Sequence, residues 1–140
     1  MNKTLLFERT ITMTNHNHEL LGLWLLKKRT HGIPGTEWLP AKGYLHYHRN
    51  NWMNVVIMAD TESQMLLTSY SGPFHINEDR VVHKPLVGFS PSGLEEKTRY
   101  FQVSNHRQTL ELSTIPRNSP PNINQHRLFF EKAHLANVGN

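Results

Sequence analysis

Histidine, arginine and tyrosine carry whatever reactivity this chain has to offer. Ten histidines are present and no cysteine, which removes disulfides, thiolate metal sites and cysteine nucleophiles together. His46 and His48 flank Tyr47 in "LHYH". On a strand that spacing puts both imidazoles on one face, a usable ligand pair. A cupin-like site would follow such a pair with a glutamate, where Asn51 and Trp52 stand instead. His16 and His18 fall in a tail-like segment. The expectation is therefore exposed histidines, no metal and no cofactor. A haem inside the fold would need an inward histidine, for which His83 and His75 are the candidates; this is the weaker alternative.

Signatures of the commoner reactions are missing. The chain has no glycine-rich phosphate loop, no G-x-S-x-G turn and no pair of carboxylates expected on one inward face. Catalysis would then fall to neutral or cationic groups. His83 can exchange a proton near neutral pH. Arg99 offers a planar fork to a ligand oxygen, and Tyr47 is an auxiliary donor. Together these three can polarise a carbonyl and move a proton in an enolisation or ring closure. The rival reading is a structural polar cluster that only satisfies itself.

These residues depend on the elements that hold them. Alternation predicts strands over 22–30, 43–49, 52–59, 66–76, 80–88, 96–104, 108–115 and 125–133. Their connections are short and polar. Asn50-Asn51 suits a two-residue hairpin, because asparagine tolerates positive φ. "NSPPNIN" (118–124) is a longer loop whose prolines cannot donate to a ladder. A short helical turn is expected from Thr61, with Gln64 three residues on. Eight hairpin-linked strands form a meander. Closure into an eight-stranded antiparallel β-barrel removes exposed edges and leaves an interior able to hold one small ligand.

The two-residue period then assigns faces. Leu45 and Tyr47 point inward on the second strand, with Met53, Val55 and Ile57 across the hairpin. Trp24, Leu26 and Lys28 share a face of the first strand. Arg99, Phe101 and Val103 go together, as do Val81 and His83. Phe74, Ile76, Leu110, Leu112, Leu128 and Phe130 complete an apolar wall. The candidate ligand-binding set is Leu26, Lys28, Leu45, Met53, Val55, Ile57, Phe74, Phe101, Leu112 and Phe130. Outward Tyr44, His46 and Trp52 predict a homodimer contact.

Several stretches together resemble the lipocalin-like domain family, small calycin-type barrel proteins of bacteria and fungi. They are "LLGLWLL", "GYLHYHRNNWMNVVIM", "YSGPFHINEDRVVHKPLVGFSP", "TRYFQVSNHRQTLELSTIP" and "RLFFEK", covering roughly residues 19–132. The sequence departs at Asn51, where the family usually has glycine, and at Lys84, where a second histidine is common. The resemblance implies a lipocalin-like barrel in which the tryptophan of Gly-x-Trp plugs one end and a late arginine, here Arg127, packs across its ring. It also implies a cofactor-independent cyclase or isomerase acting on a polyketide- or terpenoid-like substrate. The alternative is a non-catalytic carrier or sensor of a hydrophobic small molecule.

The remaining bounds are broad. A chain of 140 residues, 37% hydrophobic and 19% charged, suits one globular domain. The barrel is expected over 18–134, after an extension over 1–17 and before a tail over 135–140. Met13 is an alternative start. The formal charge of +4 includes only one dense basic run, Lys27-Lys28-Arg29, and no recognition helix or RNA-reading strand, so no nucleic acid is expected. No apolar run suits a membrane helix or a signal peptide, which predicts a cytoplasmic protein without membrane contact.

Overall fold

A computed structural model describes residues 19–32, 36–37, 40–60, 64–116, 118–120 and 122–134. The expected N-terminal extension, the helical turn at Thr61 and the C-terminal tail lie outside the described residues. The described residues form ten strands: β1 (Gly22–His31), β2 (Thr36–Glu37), β3 (Ala41–Tyr47), β4 (Trp52–Asp60), β5 (Met65–Asn77), β6 (Arg80–His83), β7 (Val87–Phe89), β8 (Lys97–Ser104), β9 (Thr109–Ser113) and β10 (His126–Lys132). Among the described residues no helix is long and apolar enough to cross a membrane.

The ring runs β1-β3-β4-β5-β6-β8-β9-β10 and closes by pairing of β10 with β1. Every pairing is antiparallel. The molecule is thus an all-β, eight-stranded antiparallel barrel, with β2 attached to β1 and β7 attached to β5. The stretch expected as one strand over 80–88 is divided at Pro85, which has no N–H to give a ladder. The chain still tracks β5 across the break, through Lys84 N–H to the Pro73 carbonyl and Leu86 N–H to the Ser71 carbonyl.

The first hairpin differs from expectation. His48 and Trp52 close it with a 2.8 Å bond, leaving a three-residue loop, and Asn51 takes φ 64°. One asparagine in the left-handed region supplies the bend that two were expected to share.

One half of the barrel is filled. Trp24, Leu20, Tyr47, Leu45, Met53, Leu110 and Val81 are almost wholly excluded from solvent, with Leu26, Phe74 and Phe130 packed against them. Trp24 donates from Nε1 to the Leu20 carbonyl (2.8 Å). A cation does sit over its ring, but it is Lys132, whose Nζ is 4.4 Å from the centroid. Register explains the correction. Trp24 pairs with Lys132 across β1 and β10, whereas Arg127 pairs with Thr30 at the other end of the strands. Arg127 instead lies 3.9 Å from Glu111, and it donates from Nε and Nη2 when the Gln125 amide oxygen is turned toward it. Gly22 makes room for this plug. It holds φ 121°, and a Cβ there would come within 2.8 Å of Lys132 Nζ.

Candidate functional site

The half of the barrel away from Trp24 holds a cavity of about 370 Å³ to which all eight ring strands contribute side chains. Leu45 of β3, Val55 and Ile57 of β4, Leu112 of β9, and Leu128 and Phe130 of β10 form its apolar wall. Tyr70, His83, Lys97 and Arg99 add polar groups on β5, β6 and β8, and Arg29 and His126 add theirs on β1 and β10. Ser90 and Ser92, from the connection between β7 and β8, face the same space. Lys97 secures that connection by donating from Nζ to Ser92 Oγ (3.2 Å) and to the Gly93 carbonyl (3.0 Å).

His83 is buried between two tyrosines. Its Nε2 lies 2.7 Å from the Tyr47 hydroxyl and its Nδ1 3.0 Å from the Tyr70 hydroxyl. A neutral imidazole donates one of these bonds and accepts the other, so both nitrogens are satisfied. Burial, then the Arg99 and Lys97 charges, lowers the His83 pKa to about 3. That is far below the near-neutral range in which His83 was expected to exchange a proton. Burial raises Tyr47 well above the usual phenol value, with Tyr70 adding to the shift and Arg99 opposing it. Tyr70 is pushed up to about 12 by the same burial, again against Arg99. The cluster is therefore a neutral, hydrogen-bonded unit at ordinary pH.

The candidate residues separate by depth. Leu45, Val55, Ile57, Leu112 and Phe130 line the cavity, as do His83 and Arg99. Tyr47 supports His83 from the filled half. Leu26, Met53 and Phe74 belong to the packed core, and half-buried Phe101 packs against it. Lys28 is a correction. Register shifts between Leu26 and Lys28, where Lys27 is an extra residue on β1 opposite β10. A bulge of this kind exchanges the faces of everything beyond it. Lys28 consequently points out, 4.9 Å from the Phe129 ring centroid, and Arg29 turns into the cavity.

Arg29 was thus missed, and the only sequence signal for it is the uninterrupted Lys27-Lys28-Arg29 run, which cannot all face water and still return β1 to its period. Tyr70, Lys97 and His126 were missed as well. Tyr70 and Lys97 occupy regular inward positions, Tyr70 paired with Val55 and Lys97 paired with His83.

His46 and His48 lie on the outside. Their ring centroids are 3.8 Å apart, and His48 Nε2 is 2.6 Å from Asn54 Oδ1. Burial and the neighbouring His48 lower the His46 pKa. Among the described residues no third metal-ligating side chain joins them. They rim a separate surface hollow of about 600 Å³ with Arg49, His106, Arg107 and Lys132. Its wall lacks the continuous apolar lining of the lumen. No family model matches the chain, and no curated protein matches it.

Proposed function

We propose that the barrel binds a hydrophobic, oxygenated small molecule in its lumen and acts as its carrier or sensor. The observation that carries this reading is the 370 Å³ cavity, with an apolar wall and a few converging polar groups. Small-molecule sites share that make-up and occupy roughly 300–1,000 Å³. The resemblance of the opening Gly-x-Trp strand and the meander to lipocalin-like proteins supports it. A cyclase or isomerase is the second reading. It would have to work through neutral donors, since Tyr47, His83 and Tyr70 hold their protons and bonds among themselves. Carriage asks nothing of His83 beyond the two hydrogen bonds it already makes.

Fluorescence titration with Nile red, a neutral apolar dye, tests lumen binding. Thr68 is half-buried and lines the cavity, so Thr68→Trp places bulk there without disturbing the core. The wild-type protein is expected to bind the dye and the folded variant to lose at least about tenfold in affinity, a change of about 1.4 kcal/mol. Unchanged binding by a folded Thr68→Trp protein places the dye elsewhere and ends the proposal.

A further inference from the structure

The lumen has a charged side. Arg29 projects from β1, and Lys97 and Arg99 from β8, into the same cavity, and no aspartate or glutamate is among its described lining residues. A cation in such a wall is costly unless good acceptors or an anion meet it. Lys97 has a local task, because its ammonium holds Ser92 and Gly93. Arg99 has less to do. Its one described hydrogen bond runs from Nη1 to the carbonyl of the adjacent Thr98, at 2.9 Å, although a guanidinium carries five donors.

The two arginines converge by topology. Arg29 pairs with Leu128 of β10, and Leu128 with Leu112 of β9. Leu112 pairs with Phe101, two residues along β8 from Arg99. His126, two residues before Leu128, lies close enough to both guanidiniums that their charges, after burial and His31, lower its pKa. The rest of the described lining is apolar side chains, the neutral Tyr70–His83 pair and the hydroxyls of Thr68, Ser90, Ser92 and Thr114.

We propose that the natural ligand is an amphipathic monoanion, a carboxylate whose head lies between Arg29 and Arg99 and whose hydrocarbon body rests on Leu45, Val55, Leu112 and Phe130. The inference rests on the lumen-binding reading above and adds the charge of the ligand to it. A single carboxylate fits the planar arginine fork. A cationic ligand would meet a wall already positive, and a neutral one would use only part of what the Arg99 fork offers.

Three compounds with one chain and different heads isolate the charge: decanoate, decanol and decylamine, each titrated calorimetrically into the wild-type protein at pH 7.5. Decanoate is expected to bind at least about tenfold more tightly than decanol, in line with charge-assisted hydrogen bonding, and decylamine more weakly than either. Arg29→Gln and Arg99→Gln should each reduce that preference, bringing decanoate toward decanol. Equal affinities for decanoate and decanol in the wild-type protein overturn the charge assignment and leave lumen binding standing. So does a preference that survives in folded Arg29→Gln and Arg99→Gln proteins. If none of the three compounds binds while Nile red still occupies the lumen, the inference fails and lumen binding stands; if Nile red does not bind either, both fail. Because the head-group comparison uses the wild-type protein, it decides even where a variant fails to fold.

Discussion

His83 is held from two sides, with a tyrosine hydroxyl on each ring nitrogen. Its pKa of about 3 in the folded protein lies below the value of about 6.5 expected unfolded. Between those two values the unfolded chain binds a proton that the folded chain does not, so stability falls as pH is lowered. The loss reaches about 1.4 kcal/mol per pH unit from this group and ends near pH 3, where both states are protonated. Urea unfolding midpoints should therefore drop from pH 7 to pH 4.5, and the His83 ring should show no NMR titration over that interval. A ring that titrates near pH 6.5 would contradict the burial described here. Tyr47→Phe removes the partner of a buried nitrogen and is expected to cost about 1–3 kcal/mol in chemical unfolding. The inward faces of Tyr47, His83 and Arg99 were legible from alternation alone. Their bonding was not, because a two-residue period fixes a side chain's face and says nothing of which of several facing strands will supply its partner.

At the scale of the element, β1 decides the chemistry of the cavity. Without the bulge at Lys27, strict alternation would direct Lys28 inward and Arg29 into solvent, which is the sequence expectation. With it, Lys27 lies 3.7 Å from Glu131 on the outside and Lys28 covers Phe129. Lys28→Ala is accordingly expected to change stability by no more than about 0.5 kcal/mol and to leave Nile red binding at its wild-type level. A tenfold loss of binding would put Lys28 back in the lumen. Strand positions were readable because hydrophobic alternation and short polar turns agree along nearly the whole chain. The bulge was not, since both of the residues that trade places are basic and the pattern offers no apolar marker of the slip. Pro85 shows the complementary case: its effect on pairing follows from its missing N–H, and the division of β6 from β7 falls at that residue.

For the whole molecule, closure of eight strands was legible from their number, order and short connections. The end at which the space opens was not, because it depends on which layers of side chains meet across the barrel. Trp24, Tyr47, Met53 and Phe74 meet and fill one half, while smaller or longer polar groups line the other. Trp24 supports the filled half through packing, its bond to Leu20 and its contact with Lys132. Trp24→Ala should cost about 3–5 kcal/mol, read as a lower urea midpoint. Lys132→Met keeps most of the stem that covers the ring and removes the charge. It should cost less, about 0.5–2 kcal/mol. A near-zero effect of Trp24→Ala would mean that the indole is not part of the core.

The seam between β1 and β10 joins residues about as far apart along the chain as this domain allows, Trp24 to Lys132. Such a seam is formed late, because the loop it closes spans the rest of the barrel and its entropy is lost before the contact can repay it. During synthesis the ribosome releases β1 long before it releases β10. Until then, the inner edge of β1 must wait for a partner that has not yet been made. Nascent chains stalled before His126 should therefore remain open to protease, and chains extended far enough past Lys132 to clear the exit tunnel should become resistant in one step. The barrel can close only once β10 has emerged, and its lumen is not enclosed before that moment.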